Sequence, residues 1–148
     1  MGMYTELVLG IEIEPTTDVL DILHYMLGDV EDQPECIKHS DHEFFKTSRW
    51  SIVLRCDSYY FDGQTDSKLF VDNLYEDEPM YYLNVRSNLK NYDSEIEKFM
   101  DWLSPYIKTD GFLGYKRYEE DDNPTLIYLE YDNFGHDKEI VYKRPDFH

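Results

Sequence analysis

Cys36, His39 and His42 follow one another at three-residue intervals, with Asp41 and Glu43 beside them. A thiolate and two imidazoles are donors that suit zinc, and a neighbouring carboxylate would supply a fourth ligand. The spacing is not that of a standard zinc module, which needs two separated ligand pairs, so the same residues also read as a solvated acidic loop. A second group with chemical potential combines Arg55 and Arg86 with Asn84 and Tyr82. On the outer face of a sheet, two guanidiniums beside an amide and a phenol would hold a nucleotide or a signalling phosphate. Glu6, Glu12 and Asp57 are expected on that same face, where they would pair with the arginines instead.

No further reactive pattern stands out. Thirty-two acidic residues guarantee carboxylate neighbours by chance, so spacing alone names no general acid and base. His24, His136 and His148 are isolated, and the chain has no nucleophile elbow, phosphate-cradling glycine loop or metalloprotease helix. The expectation is a protein that is not an enzyme and needs no cofactor, with a metal-dependent enzyme centred on Cys36, His39 and His42 as the third reading.

These groups must be positioned by a chain of 148 residues, the usual size of one domain, here 1–148. At 41% hydrophobic and 16% aromatic residues it has enough apolar material for a core despite a net charge of −18. It has two cysteines, no tripartite leader pattern at its start and no apolar run near the length that spans a bilayer. A location in the cytoplasm of a host cell is expected, without membrane contact.

Hydrophobic periodicity changes in an orderly way along the chain. From Tyr4 to Glu14 it is two, with Leu7, Leu9, Ile11 and Ile13 on one face, which predicts a strand. After Pro15 it becomes helical through Val19, Leu20, Ile22, Leu23, Met26 and Leu27, with Thr16 or Thr17 as N-cap and Gly28 as the stop. Residues 29–48 read as a surface loop, and Arg49 to Phe61 alternate as a second strand. Residues 62–79 read as an extended hairpin loop with a short pairing around Leu69 to Val71. A third strand holds Tyr81, Leu83 and Val85. A second helix carries Ile96, Phe99, Met100, Leu103 and Ile107, with Ser94 and Glu97 at capping-box spacing and Pro105 kinking or ending it. Strands over Phe112–Tyr118, Thr125–Tyr131 and Glu139–Lys143 complete the chain. The order predicts an α+β fold: a ferredoxin-like βαββαβ antiparallel sheet, ordered 2-3-1-4, with two helices on one face and a C-terminal β-hairpin extending it.

The acidic residues come in runs. Asp72, Glu76, Asp77 and Glu78 form one, Glu119, Glu120, Asp121 and Asp122 another, and Asp29, Glu31, Asp32 and Glu35 a third. Solvated loops commonly carry such runs. Here they are interleaved with aromatics read as exposed, namely Phe44, Phe45, Tyr59, Tyr60, Tyr75, Tyr118 and Tyr131. Carboxylates steer an encounter with a basic surface and tyrosines anchor it, so Tyr60 and Tyr75 join Glu76, Asp77 and Glu78 and the run Glu119 to Asp122 as expected partner-binding residues.

The segments Ser48-Arg49-Trp50, Cys56-Asp57-Ser58-Tyr59-Tyr60-Phe61-Asp62-Gly63, Leu83-Asn84-Val85-Arg86-Ser87-Asn88-Leu89-Lys90-Asn91-Tyr92 and Phe112-Leu113-Gly114-Tyr115, with Glu119-Glu120 and Pro124-Thr125-Leu126-Ile127-Tyr128, resemble a family of small acidic proteins of bacteriophages and prophages without an assigned activity. The resemblance implies a setting in which such a protein occupies a host protein, including nucleic-acid-binding defence nucleases, sometimes by mimicking the charge of DNA. The leading expectation is a non-enzymatic inhibitor of a basic, nucleic-acid-handling host protein that does not itself bind nucleic acid. The second is a nucleotide or phosphate sponge built on Arg55, Arg86, Asn84 and Tyr82.

Overall fold

The computed structural model describes residues 3–57, 65–74, 77–132, 135 and 137–145. Strand β1 (Thr5–Ile13) buries Leu7, Leu9, Ile11 and Ile13 on one side and leaves Gly10 exposed on the other, as period-two alternation requires. Helix α1 (Thr17–Met26) follows. Its backbone leaves the helix at Gly28, where φ is +81° and the N–H donates to the Tyr25 carbonyl at 3.1 Å.

The chain continues through β2 (Lys68–Asp72), β3 (Met80–Leu89), α2 (Glu95–Leu103), β4 (Gly111–Tyr118), β5 (Thr125–Tyr131) and β6 (Lys138–Lys143). The result is an α+β arrangement in which the six described strands form one antiparallel sheet, ordered β2-β3-β1-β4-β5-β6. One hydrophobic cluster joins Leu9 and Ile11 of β1 and Leu83 and Val85 of β3 to Leu23 of α1 and Phe99 of α2. The odd-numbered residues of β1 and β3 thus face the helices.

The second strand is not where alternation predicts it. Trp50–Ile52 form a 3-10 turn, residues 53–55 turn again, and the consecutive side chains Val53 and Leu54 are both fully buried. A strand would send neighbours to opposite faces. Residues 58–61 of that expected strand lie outside the described residues. The strand that pairs with β3 on the side away from β1 is β2, at the place of the short Leu69–Val71 pairing, and it takes the place of strand 2 in the 2-3-1-4 order.

The connection over residues 29–48 is also more than a surface loop. It contains 3-10 turns at Glu35–His39 and Glu43–Lys46, and Phe44, expected to be exposed, is fully buried. The Phe44 ring stacks on Trp102 at 6.0 Å and meets Phe99 edge-on at 5.4 Å, while half-buried Phe45 packs against Trp50 at 5.1 Å.

At α2 the expected capping box is replaced. Ser94 adopts a left-handed conformation with φ +57° and makes no side-chain cap. Asn91 takes over: its Oδ1 accepts from the Ile96 N–H at 2.8 Å, and its Nδ2 donates to Glu97. The helix ends at Leu103, one residue before a 3-10 turn containing Pro105.

Candidate functional site

The acidic turns are placed by the strand register. Thr5 of β1 lies opposite Leu89 and Tyr118, and Ile13 lies opposite Tyr81. The turn after β4, holding Glu119 to Asp122, therefore sits at one end of the sheet, and the turn before β3, holding Asp77 and Glu78, sits at the other. Along the nine residues of β1 that separation is roughly 25 Å, longer than the screening distance of about 8 Å at physiological salt. The two turns act as separate acidic poles. Glu76, Tyr60 and Tyr75 lie outside the described residues.

Within the β4–β5 turn the four acids divide their work. The Glu119 carboxylate accepts from the Tyr4 N–H at 3.1 Å, and Asp121 pairs with Arg144 at 2.8 Å. Glu120 and Asp122 are exposed and have no ion-pair partner among the described residues. Asp77 and Glu78 are likewise exposed.

Behind this turn opens a cavity of about 580 Å³, walled by Tyr92, Tyr118 and Tyr142 and by Lys116, Arg144 and Asp121. Tyr118 and Tyr92 thus border the acidic turn, whereas Tyr131 is exposed near the opposite end of the sheet. Lys116 pairs with Glu97 and lies 4.8 Å from the centre of the Tyr142 ring. Burial alone would raise the Glu97 carboxyl, but the hydrogen bonds from Lys116 and Asn91 outweigh it and hold it below the ordinary glutamate value. The Tyr142 hydroxyl is buried without a hydrogen-bond partner among the described residues, and desolvation pushes its ionisation far up.

The open sheet face differs from the expected phosphate cradle. Tyr82, Asn84 and Arg86 do share it with Glu6 and Glu12 of β1, by register. Arg55 does not: it lies in the turn after Trp50–Ile52, where a side chain at Gly28 would meet its Nη1 at 3.0 Å. The second guanidinium on the sheet face is Arg117, from β4. Glu6 is held between Arg86 at 3.7 Å and Arg117 at 3.6 Å with only 4% of its side chain exposed. Burial and the Glu6 carboxylate raise the neighbouring Tyr115 phenol. Glu12 pairs with Lys108, not with an arginine. Arg117 was hidden in the sequence because its strand carries a bulge between Phe112 and Gly114, which shifts the alternation of outward residues.

Cys36, His39 and His42 are not gathered. His42 accepts from the Phe44 N–H at Nδ1, 3.1 Å, which puts the ring proton on Nε2, 2.9 Å from Asp101. Both ring nitrogens are engaged, so the imidazole offers no lone pair to a metal in this arrangement. His39 is exposed, and burial followed by the Asp18 carboxylate pushes the Cys36 thiol up. Among the described residues no three His, Cys, Asp or Glu side chains come together as a metal site. No helix among them is long and apolar enough to cross a membrane.

Comparison with known proteins finds no matching family model, no matching curated protein and no matching solved structure.

Proposed function

We propose that this chain is a non-enzymatic interaction protein, carried by a bacteriophage or prophage, that binds and inhibits a basic, nucleic-acid-handling protein in the cytoplasm of the host. The observation that carries this reading is the commitment of its cations. Lys38, Lys46, Lys108, Lys116, Lys143, Arg86, Arg117 and Arg144 each stand within 3.7 Å of one of the protein's own carboxylates. Arg49 and Lys90 lie over the rings of Tyr92 and Tyr4, and Lys138 donates to the Ile107 carbonyl. The surplus behind the net charge of −18 is therefore carried by carboxylates such as Asp77, Glu78, Glu120 and Asp122 that face solvent. That field repels nucleic acid and attracts the lysines and arginines that otherwise hold phosphates. The phage resemblance supports the same setting. We read the fold as ferredoxin-like, β1-α1-β2-β3-α2-β4, with β5 and β6 as the extending hairpin.

The test is affinity capture from a bacterial lysate at low and high salt, followed by mass spectrometry. A basic nucleic-acid-binding protein retained at low salt and released at high salt supports the reading. A retained partner that ignores salt removes charge occlusion as the mechanism. The sponge reading loses one of its two guanidiniums, because Arg55 is not on the face that holds Arg86, Asn84 and Tyr82.

A further inference from the structure

β2 stands at the edge of the sheet, with no strand on its outer side among the described residues. Unpaired N–H and C=O groups on such an edge are a template for pairing with another chain. The edge reads Lys68-Leu69-Phe70-Val71-Asp72, with Phe70 and Val71 each 47% exposed and Leu74 just beyond at 74%. The Asp66 N–H donates to the Arg86 carbonyl at 2.8 Å, and the register continues with Lys68 opposite Asn84, Phe70 opposite Tyr82 and Asp72 opposite Met80. Even-numbered residues are thus the hydrogen-bonded pairs with β3, which turns the N–H and C=O of Leu69 and Val71 outward.

We propose that two copies of this chain pair antiparallel through β2, about a two-fold axis at Phe70. In that register the strand is self-complementary. Lys68 of each copy faces Asp72 of the other, Leu69 faces Val71, and the two Phe70 side chains meet on the axis. The backbone agrees: an axis at Phe70 makes that pair the non-hydrogen-bonded one, where facing side chains come closest, and sets the outward groups of Leu69 against those of Val71. Moving the axis to Val71 would place Phe70 against Asp72 and Lys68 against Leu74, which loses both charge pairs. Lys68 is available for the contact, since its own-chain partner Asp66 is 3.8 Å away and both side chains are mostly exposed. The symmetry closes the assembly at two copies and covers the apolar side chains that the edge otherwise shows to water.

Sedimentation velocity at fixed salt tests this with Lys68→Asp, Asp72→Lys, their equimolar mixture and the double variant. The wild type is expected to form dimers in the micromolar range. Each single variant makes both symmetric contacts like-charged and weakens self-association about tenfold. The mixture and the double variant recover, because each again sets opposite charges across both contacts. A wild type that stays monomeric overturns the proposal, as do single variants that associate as tightly as wild type, or a mixture no tighter than its components.

Discussion

Glu6 of β1 and Arg117 of β4 face each other across the sheet at 3.6 Å, and Arg86 closes on the same carboxylate from β3 at 3.7 Å. The three strands at the centre of the open face are thereby tied by one nearly buried anion. Glu6→Gln removes the charge that both guanidiniums share and is expected to cost roughly 1–3 kcal/mol in urea denaturation. Arg86→Ala or Arg117→Ala alone leaves Glu6 one guanidinium beside the Tyr115 phenol and costs less. A cost for Glu6→Gln below that of either arginine variant contradicts the shared arrangement.

Glu97 gives the fold a dependence on acid. Its folded carboxyl titrates below the ordinary 4.5, so its contribution is full above that value and is lost as pH falls through the lower folded value. Glu97→Gln is therefore less stable than wild type at pH 7, and the gap closes as the pH drops below about 4.5. Melting temperatures from pH 7 to pH 3 measure it, and a gap that stays constant over that range contradicts the pairing with Lys116 and Asn91.

At Tyr142 the reverse sign applies. The buried hydroxyl lacks a partner among the described residues and its ionisation is pushed up by desolvation, so the neutral ring's contribution holds below the ordinary tyrosine value and is lost as pH rises above it. Tyr142→Phe deletes an unsatisfied polar group and is expected to leave stability at pH 7 unchanged or raise it by about 1 kcal/mol. A loss of several kcal/mol would mean that the hydroxyl is bonded.

Gly114 marks the bulge in β4. With φ at +155°, a Cβ there would run into the Val8 carbonyl oxygen and come within 2.9 Å of Leu9 Cα, both backbone atoms that cannot yield. Gly114→Ala is expected to cost more than about 2 kcal/mol, against a few tenths at Gly10→Ala, where the nearest atom is 3.9 Å away. Equal costs at the two positions would refute the close approach.

The bulge also shows where reading the chain succeeds and where it stops. Leu9, Ile11, Leu83 and Val85 were legible as core because each strand alternates without interruption, and Ile96, Phe99 and Leu103 because their helix keeps one apolar face. Trp50, Ile52 and Leu54 mimic the same period, but Trp50 packs sideways on Phe45 and Val53 is as buried as Leu54. A short apolar run has no way to announce that it is a turn. Phe112 and Tyr115 share a face only because of the bulge, since Phe112 pairs with Tyr128 and Tyr115 with Leu126. Arg117 could not be matched to Glu6 without that register. The acidic turns were legible as charge, but their placement at opposite ends of the sheet follows from strand order.

The most direct test of charge occlusion is capture of host proteins by the wild type and by two neutralised variants, Asp77→Asn with Glu78→Gln and Glu120→Gln with Asp122→Asn, with and without competing duplex DNA. Because the two poles are farther apart than the screening distance, the account predicts that a basic nucleic-acid-binding protein is retained, that DNA and salt displace it, and that neutralising at least one pole slows its association. Retention of the same partner at unchanged rate by both variants, indifferent to DNA and to salt, would contradict it.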